Sequence, residues 1–335
     1  MVAEIREARV DFITIHGLLI PESQDDYLRL ALLCHRFKEA VNKAIRIQLE
    51  GMKKSDGIKE LRKVLNNWWY GNSAWDYAKM LIRGCESNNS NPRHIHIKSK
   101  FLISYAKSDE QGNRNVKIDE NTVRIRDTFS KRWLKFRHDF GGRFIKANRY
   151  TAKIVFRNGR IYLHLSIPFE LVQYGITCGK LIASFDLNSD RINMVVVDRE
   201  GRIRDVKVKQ FPEITSHGFP KNKAKDIRLK ALAELLDYAY FHNVGIVLFE
   251  DLESIKRRMF TNNPKANRKI SKFAKRELLH YGITMSLKRG LKVFLVNPTN
   301  TSKIAKQIHK SLGLDIHCAS AYILAQKLLN FYDSL

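Results

Sequence analysis

Runs of apolar residues indicate buried strands in the C-terminal half of the chain. Residues 181–198 begin with an apolar run that reaches Asp186, pass through a polar turn and continue as a second run over residues 192–197. Two β-rich runs joined by polar turn residues predict a hairpin of buried strands. A carboxylate in such a run is costly to bury unless a partner such as a divalent cation neutralises it. The hairpin therefore marks Asp186 as a candidate site residue.

Two more carboxylates stand in similar settings downstream. Residues 244–251 are a second buried-strand pattern that delivers Glu250, and Asp315 immediately precedes a helical pattern rich in small residues. Each acid alone fits a capping or surface role equally well, but together they supply the oxygen ligands that Mg²⁺ prefers. Asp186, Glu250 and Asp315 are the candidate catalytic and metal-binding residues, for Mg²⁺ or alternatively Mn²⁺. The second-choice acids are Asp190, Asp198 and Asp251.

The order of elements around these acids predicts one mixed sheet. A third strand over residues 204–211, a helix over 226–242 and strands at 244–250 and 291–296 precede a final helix after Asp315. An antiparallel hairpin and parallel crossover strands in one sheet are typical of RNase H-like nucleases. Such a core uses acids from its first strand, a later strand and its last helix for hydrolysis with two metal ions.

The N-terminal half mixes helices and strands. Its pattern predicts a strand over residues 7–19 and an amphipathic helix over residues 24–51. The predicted apolar face of this helix is Leu28, Leu32, His35, Phe37, Val41, Ile45 and Leu49. A second helix is predicted over residues 57–82, where dense aromatic residues can either stack on bases or pack between helices.

Short β-rich runs follow between residues 95 and 167 and predict a small β-barrel-like unit. Asn158-Gly159 predicts a hairpin turn, and residues 128–144 are interpreted as an insertion. The fold class is predicted to be α+β/α/β multidomain. The expected divisions are a nucleic-acid-binding domain over residues 1–170, a linker over 171–180 and a nuclease domain over 181–335.

Charge is the strongest compositional signal. Lysine and arginine number 60 against 34 acidic residues, which gives a formal net charge of +26. This excess favours a polyanionic partner, because neutralised phosphates release counterions; a generally basic proteome or an anionic membrane surface is the alternative. No run reaches the ~18 apolar residues of a membrane span, and the charged N-terminus lacks a signal core, so a cytoplasmic location and no membrane partner are expected.

A basic, turn-rich segment follows the strand that carries Glu250. Residues 255–271 could be a solvated loop, but cations beside a catalytic-type strand can steer a phosphate backbone. The four cysteines are far apart and form no CxxC pair, which predicts neither a zinc site nor a disulfide framework. The candidate nucleic-acid-binding residues are Lys256, Arg257, Arg258, Arg268 and Lys303.

Three segments of the C-terminal half form recognisable motifs, namely FDLNSDRINMVVVDREGRI, IVLFEDLESIKRR, and GLKVFLVNPTNTSKI followed by DIHCASAYILA. They resemble the RuvC motifs of the transposon-encoded TnpB (OrfB) family, RNA-guided nucleases related to type V CRISPR effectors. The resemblance covers residues 181–329 and implies that Asp186, Glu250 and Asp315 are the three RuvC acids. It also implies a guide RNA and a double-stranded DNA target as partners, a wedge barrel with a helical recognition insertion in residues 1–170, and a monomer bound to RNA.

The chain departs from that family at two places. His317, Cys318 and Ala319 stand where the family has Asn-Ala-Ala, and no four-cysteine zinc module lies between the Thr-Ser-Lys motif and Asp315, so no zinc is expected. Three functions stay open: an RNA-guided, Mg²⁺-dependent DNA endonuclease, a non-cleaving regulator that binds guide RNA and DNA, and an actin-like or sugar-kinase ATPase. The ATPase ranks last, because the first hairpin has no glycine-rich phosphate loop.

Overall fold

The protein forms two compact units. The structure, a computed structural model, describes residues 5–105, 113–142, 144, 146–172, 177–251 and 275–333. The N-terminal unit is Asp11–Val172, and the C-terminal unit combines Met1–Val10 with Gln173–Leu335. The first ten residues thus group with the C-terminal unit, whereas the sequence pattern joins them to the residues that follow. The single strand predicted over residues 7–19 is wrong: Ile5–Glu7 is β1 of the C-terminal unit, and a separate strand begins at Phe12.

An antiparallel sheet of seven strands forms most of the N-terminal unit, in the order β3-β7-β8-β2-β6-β5-β4. Its strands are β2 (Phe12–Pro21), β3 (Phe101–Ser104), β4 (Val116–Ile118), β5 (Thr122–Arg126), β6 (Trp133–Asp139), β7 (Thr151–Arg157) and β8 (Arg160–Pro168). Asn158 and Gly159 join β7 to β8 with φ angles of 51° and 72°, which confirms the predicted turn. Among the described strands, no pairing between the edges β3 and β4 closes the sheet into a barrel.

The segment predicted as an insertion supplies an interior strand of this sheet. β6 lies between β2 and β5, so the insertion over residues 128–144 is wrong. Leu134 and Phe136 are fully buried while Lys135 and Arg137 are exposed, which is the period-two pattern of a half-buried strand. The density of basic residues obscured that alternation in the sequence.

Three helices pack on the sheet: α1 (Gln24–Leu49), α2 (Lys54–Leu65) and α3 (Trp68–Ser87). The first helix is confirmed, and its predicted face is correct at Phe37, Val41 and Ile45, which are buried. It is wrong at the start of the helix, where Leu28 and Leu32 are 56% and 49% exposed. Leucines occur on two sides of α1, and at its start Leu30 and Leu33 are the buried ones.

The second predicted helix is two helices. Asn66 adopts the left-handed conformation that ends α2, and the side chain of Asn67 accepts a hydrogen bond from Tyr70 N–H to cap α3. Within α3, Tyr70 is fully buried and Trp75 is 5% exposed, so these two rings pack in the core.

A mixed sheet of six strands organises the C-terminal unit, in the order β1-β13-β12-β9-β10-β11. The strands that follow the N-terminal unit are β9 (Leu181–Leu187), β10 (Arg191–Val197), β11 (Ile203–Gln210), β12 (Val244–Glu250) and β13 (Lys292–Val296). β9, β10 and β11 form an antiparallel meander, β12 runs parallel to both β9 and β13, and β1 closes the edge antiparallel to β13. The predicted hairpin and later strands are confirmed.

Helices cover both faces of this sheet. They are α4 (Lys221–Phe241), α5 (Lys275–Lys288), α6 (Thr301–Ile308) and α7 (Ile316–Asp333). Phe185 and Phe249 pack in a cluster with α4 and α5, whereas Ile182 and Leu248 pack with α7. Successive strand residues therefore face opposite helical layers. Across the described ranges, the helices are too short or too polar for any to serve as a transmembrane span.

Candidate functional site

Asp186 lies on the face of the sheet that α7 covers. Ile182 packs against α7, and the period of two along β9 sets Asp186 on the same face. The side chain is nearly buried, at 5% exposure of the residue. Its Oδ2 accepts a hydrogen bond from Asn188 Nδ2 at 2.7 Å and lies 3.0 Å from His317 Nδ1. These contacts hold one carboxylate oxygen and leave Oδ1 without a donor among the described residues.

Glu250 is the last residue of the neighbouring strand. In the pairing of β12 with β9, Leu248 is opposite Ser184, and the same register continued by two residues sets Glu250 beside Asp186. Leu248 packs toward α7, so Glu250 belongs to that face as well. The structure thus brings the first two predicted acids, Asp186 and Glu250, to the carboxyl ends of two neighbouring strands and to one face of the sheet.

Asp315 caps the first turn of α7. Its Oδ1 accepts hydrogen bonds from the N–H groups of His317 at 2.7 Å and Cys318 at 3.0 Å, and the Cys318 thiol lies 3.2 Å from Oδ2. Burial by itself raises the pKa of Asp315, but the hydrogen bonds from Cys318 and His317 outweigh it and the pKa lies below its ordinary value. Asp315 is therefore a fixed, ionised carboxylate at the start of the helix on the same face.

His317 and Cys318 both contact Asp315, and His317 also contacts Asp186. The hydrogen bond to Asp186 raises the pKa of the His317 imidazole, although desolvation acts in the opposite direction. Cys318 accepts a hydrogen bond from Asn193 Nδ2 at 3.1 Å, and Asn193 is directly opposite Asp186 in the β9–β10 ladder. Burial raises the pKa of the Cys318 thiol to about 12, so it stays protonated.

Two side-chain oxygens near Asp186, one on β9 and one on β10, lack a hydrogen-bond partner among the described residues. Within the described part of the chain, Asn193 Oδ1 and Ser184 Oγ are buried and have no hydrogen-bond partner. An unpaired buried acceptor costs ~1–3 kcal/mol, which a bound water or cation would offset. Carboxylate, amide and hydroxyl oxygens form a donor set that suits a hard cation such as Mg²⁺.

The side chains as they stand do not enclose a metal. Throughout the described ranges, no three side chains of His, Cys, Asp or Glu are grouped closely enough to hold an ion. The imidazole of His317 contacts Asp186 Oδ2 at 3.0 Å. The donor chemistry therefore fits Mg²⁺, and the contact of His317 with Asp186 is the one that a bound ion would displace.

The second-choice acids hold other parts of the fold. Asp198 lies at the opposite end of the hairpin from Asp186 and accepts hydrogen bonds from Arg204 Nε and from the N–H of Arg202. Asp251 forms an ion pair with Arg6 at 2.9 Å. Asp190 lies 3.5 Å from Arg191 Nε.

Replacing Asp198 by Asn should destabilise the C-terminal unit without changing the candidate site. Burial raises the pKa of Asp198, but the hydrogen bonds from Arg202 and Arg204 lower it further, so the pKa lies below its ordinary value of 3.8. The stability that this carboxylate contributes is present above pH 3.8 and is lost as the pH falls through the folded-state pKa. The measurement is urea denaturation of the unmodified protein and of Asp198→Asn between neutral pH and acid. The difference between their free energies of unfolding should be largest at neutral pH and should shrink in acid. A difference that is independent of pH would contradict this role.

Most of the predicted nucleic-acid-binding residues lie outside the described residues. Lys256, Arg257, Arg258 and Arg268 fall in the range 252–274, for which the structure gives no description. Lys303 is exposed in the first turn of α6. Two residues before it, the Thr301 hydroxyl is buried and has no hydrogen-bond partner within the described chain.

A cationic surface in the N-terminal unit was missed in the sequence. In the β4–β5–β6 ladders, Lys117 is opposite Arg124, and Arg124 is opposite Lys135. Like charges directly across a sheet repel one another, and here the ion pair of Arg124 with Asp119 at 3.3 Å offsets part of that repulsion. Arg126 lies over the ring of Trp133 at 5.5 Å. The cationic face is defined here as Lys117, Arg124, Arg126, Lys135 and Arg137.

Sequence reasoning also missed the residues that hold Asp186. Asn188 and His317 contact its carboxylate, and Asn193 links it to α7 through Cys318. The available signal was an Asn within the otherwise apolar run of β10, since a fully buried amide needs a specific partner.

Comparison with known proteins gives one family match and several relatives. The model of the SSO2105 N-terminal domain matches residues 12–175. The chain is 33% identical to a protein of Saccharolobus solfataricus described as the uncharacterized protein SSO2105, over 97% of this chain and 94% of that protein. An uncharacterized protein of Aeropyrum pernix is 31% identical over 56% of each chain.

Solved structures show a weak likeness. RuvC of Thermus thermophilus in complex with a Holliday junction substrate is 18% identical and covers 43% of this chain and 90% of that chain, at a TM-score of 0.30. Another structure of the same RuvC gives 17% identity at the same coverage and TM-score. A likeness of this size supports no conclusion about function.

Proposed function

We propose that this chain, which belongs to the SSO2105 family, is a nuclease that hydrolyses phosphodiester bonds with Mg²⁺. The proposal rests on the geometry of the chain's own residues, since the matched relatives are described as uncharacterized. One observation carries the proposal. Asp186 and Glu250 lie at the carboxyl ends of neighbouring parallel strands, and Asp315 immediately precedes the helix that covers the same face. Three carboxylates at one end and on one face of the sheet are the arrangement that two-metal hydrolysis needs.

The sheet order supports the same proposal. An antiparallel meander with two parallel strands beside its first strand is the arrangement of the RNase H-like fold, to which we assign the C-terminal unit. Function in such sheets is concentrated beyond the carboxyl ends of the parallel strands. Asp186 and Glu250 stand at that end of β9 and β12.

The residues of this chain prepare the site. Asp186, Glu250 and Asp315 would hold the ions, and bound Mg²⁺ supplies an activated water and stabilises the leaving oxygen. Asn188 fixes the Asp186 carboxylate by its bond to Oδ2, and the helix N–H groups fix Asp315. His317, hydrogen bonded to Asp186, reduces the repulsion between the carboxylates while no cation is bound.

The finer hypothesis is an RNA-guided endonuclease of double-stranded DNA. It rests on the resemblance of residues 181–329 to the TnpB family. Pairing with a guide would supply the sequence specificity, and the protein would read shape and cut. The cationic face would then be a surface that holds the phosphate backbone of the guide or the target.

A charge-reversal pair tests the cationic face. Arg124→Glu with Lys135→Glu should weaken nucleic-acid binding and reduce the slope of log affinity against log salt by about 2, since each lost phosphate contact removes ~0.9. The measurement is a fluorescence titration at several salt concentrations. Lys59→Glu with Lys63→Glu is the matched control, because these exposed lysines of α2 undergo the same change of charge next to Asp56 and Glu60. An equal loss in both pairs would mean that net charge alone matters.

Cleavage is the test of the proposed reaction. Protein purified with the RNA it retains, and protein stripped of RNA, would be given single-stranded DNA, duplex DNA and RNA–DNA hybrid with Mg²⁺ or with EDTA. Mg²⁺-dependent cutting of any substrate supports the nuclease. Cutting that needs the retained RNA and a matching duplex supports the guided form, whereas no cutting under any condition contradicts both.

A second candidate is a regulator that binds nucleic acid and does not cut. The observation that favours it is the contact of the His317 imidazole with the Asp186 carboxylate, on the oxygen that Asn188 also contacts. In that case nucleic acid would be retained and bound in EDTA as well as in Mg²⁺, with no product.

A further inference from the structure

We propose that the C-terminal unit contains a second binding site, for a nucleotide. The site lies at the opposite end of the sheet's strands from Asp186. A cavity of about 400 Å³ lies there, next to Lys180, Arg199 and Lys292. Lys180 immediately precedes β9 and Lys292 begins β13, so the cavity stands at the amino ends of the parallel strands. We call it the basal pocket. Nothing in the proposed nuclease reaction uses it.

The basal pocket is positively charged. Lys180, Arg199 and Lys292 are exposed, and none of them has an ion-pair or hydrogen-bond partner within the described residues. The nearby acids are engaged elsewhere, Asp198 by Arg204 and Glu200 by the guanidinium of Arg202. The helix dipole at the carboxyl end of α7 corresponds to about half a negative charge, which is less than the charge of the three cations. The electrostatics of the pocket therefore select an anion.

The rest of the lining is apolar. Ile182 and Leu329 are buried, Ile246 is half-buried, and the ring of Tyr332 is 46% exposed at the end of α7. A simple inorganic anion would leave this surface in contact with water. A ligand with a flat, weakly polar group would cover it and stack on the phenol ring.

The two halves of the lining fit one molecule, a nucleoside phosphate. Its phosphate would contact the three cations through charge-assisted hydrogen bonds, and its base would cover Tyr332 and the aliphatic side chains. The cavity lies within the ~300–1,000 Å³ range of small-molecule sites. A free nucleotide and the terminal nucleotide of a strand present the same chemistry, so the measurement has to separate these two sources.

The test is calorimetric titration of the full-length protein, freed of co-purified nucleic acid and kept in EDTA so that no cleavage occurs. The probes are adenosine 5′-monophosphate, adenosine, and a trinucleotide with either a 5′-phosphate or a 5′-hydroxyl. We expect saturable binding of the phosphorylated probes and weaker binding of the two others. Tighter binding of the phosphorylated trinucleotide than of the mononucleotide identifies a strand end as the ligand, and the reverse order identifies a free nucleotide.

Matched variants locate the binding. Lys180→Gln with Lys292→Gln should weaken mononucleotide binding about tenfold or more, since two charge-assisted contacts are lost. Lys223→Gln with Lys230→Gln removes the same charge from α4, which covers the other face of the sheet, and should leave the affinity unchanged. Equal loss in both pairs, binding of adenosine as tight as that of its monophosphate, or no saturable binding would overturn the proposal. Because cleavage plays no part, failure of the nuclease proposal would leave this result intact.

Discussion

Replacement of Asp186 by Asn is expected to lower the rate of Mg²⁺-dependent cleavage by about 10³-fold or more. The change keeps the shape of the side chain but removes the charge that would face the metal ions. Asn188 can still contact the remaining oxygen, so the fold should survive. The measurement is a single-turnover assay on the best substrate from the cleavage screen, with bound RNA quantified in parallel.

Asp251→Asn is the matched control for this change. Asp251 follows Glu250 directly and forms an ion pair with Arg6, so its loss should cost a little stability and leave most of the cleavage. Retained cleavage by Asp186→Asn would refute the assignment of the catalytic residue. Equal losses from both variants would point to damage at this edge of the sheet rather than to chemistry at Asp186.

Replacement of Gly245 by Ala is expected to lower the free energy of unfolding of the C-terminal unit by about 3 kcal/mol or more. Gly245 is the residue at which the β9–β12 pairing shifts register, and a Cβ there would lie 2.1 Å from the carbonyl oxygen of Gly179. The clash is with backbone, which cannot rotate away as a side chain could. Relief would require β9 and β12 to separate.

Gly84→Ala is the control for the glycine substitution. Gly84 lies in α3 and a Cβ there meets no atom within 4 Å, so alanine should be neutral or stabilise the helix by ~0.5–1 kcal/mol. Two units can unfold separately, so urea denaturation should be combined with hydrogen exchange of the β9 and β12 amides. Unchanged protection of those amides in Gly245→Ala would show that the strands tolerate the methyl group.

The hydrophobic pattern predicted the centre of the C-terminal sheet well, because β9, β10 and β12 are buried on both faces. Residues 192–197 and 244–249 are apolar apart from Asn193 and Gly245, and both are strands in the structure. Such runs have few competing interpretations. Asp186 was visible for the same reason, as a charge within an apolar segment.

Features that depend on contacts between residues far apart in the chain could not be predicted from the sequence. The segments that form β1 and β2 both have the composition of strands. The residues between them give no sign in the sequence that the two strands pair in different units. Leu28 and Leu32 are as apolar as the leucines that are buried, and tertiary contact decides which stripe of α1 faces the core. His317 was recognised as a departure from a motif, but its contact with Asp186 spans more than a hundred residues of sequence.

The pairing of β1 with β13 has a consequence for synthesis of the chain. Phe294 pairs with Glu7, so the outer strand of this sheet is synthesised long before its neighbour. Until β13 leaves the ribosome, β1 has no partner, whereas the N-terminal unit between them can complete its own sheet. Without β1, the β13 edge would present open backbone groups to other copies of the nascent chain. A chain that begins after Val10 should therefore be more prone to intermolecular strand pairing than the full-length chain.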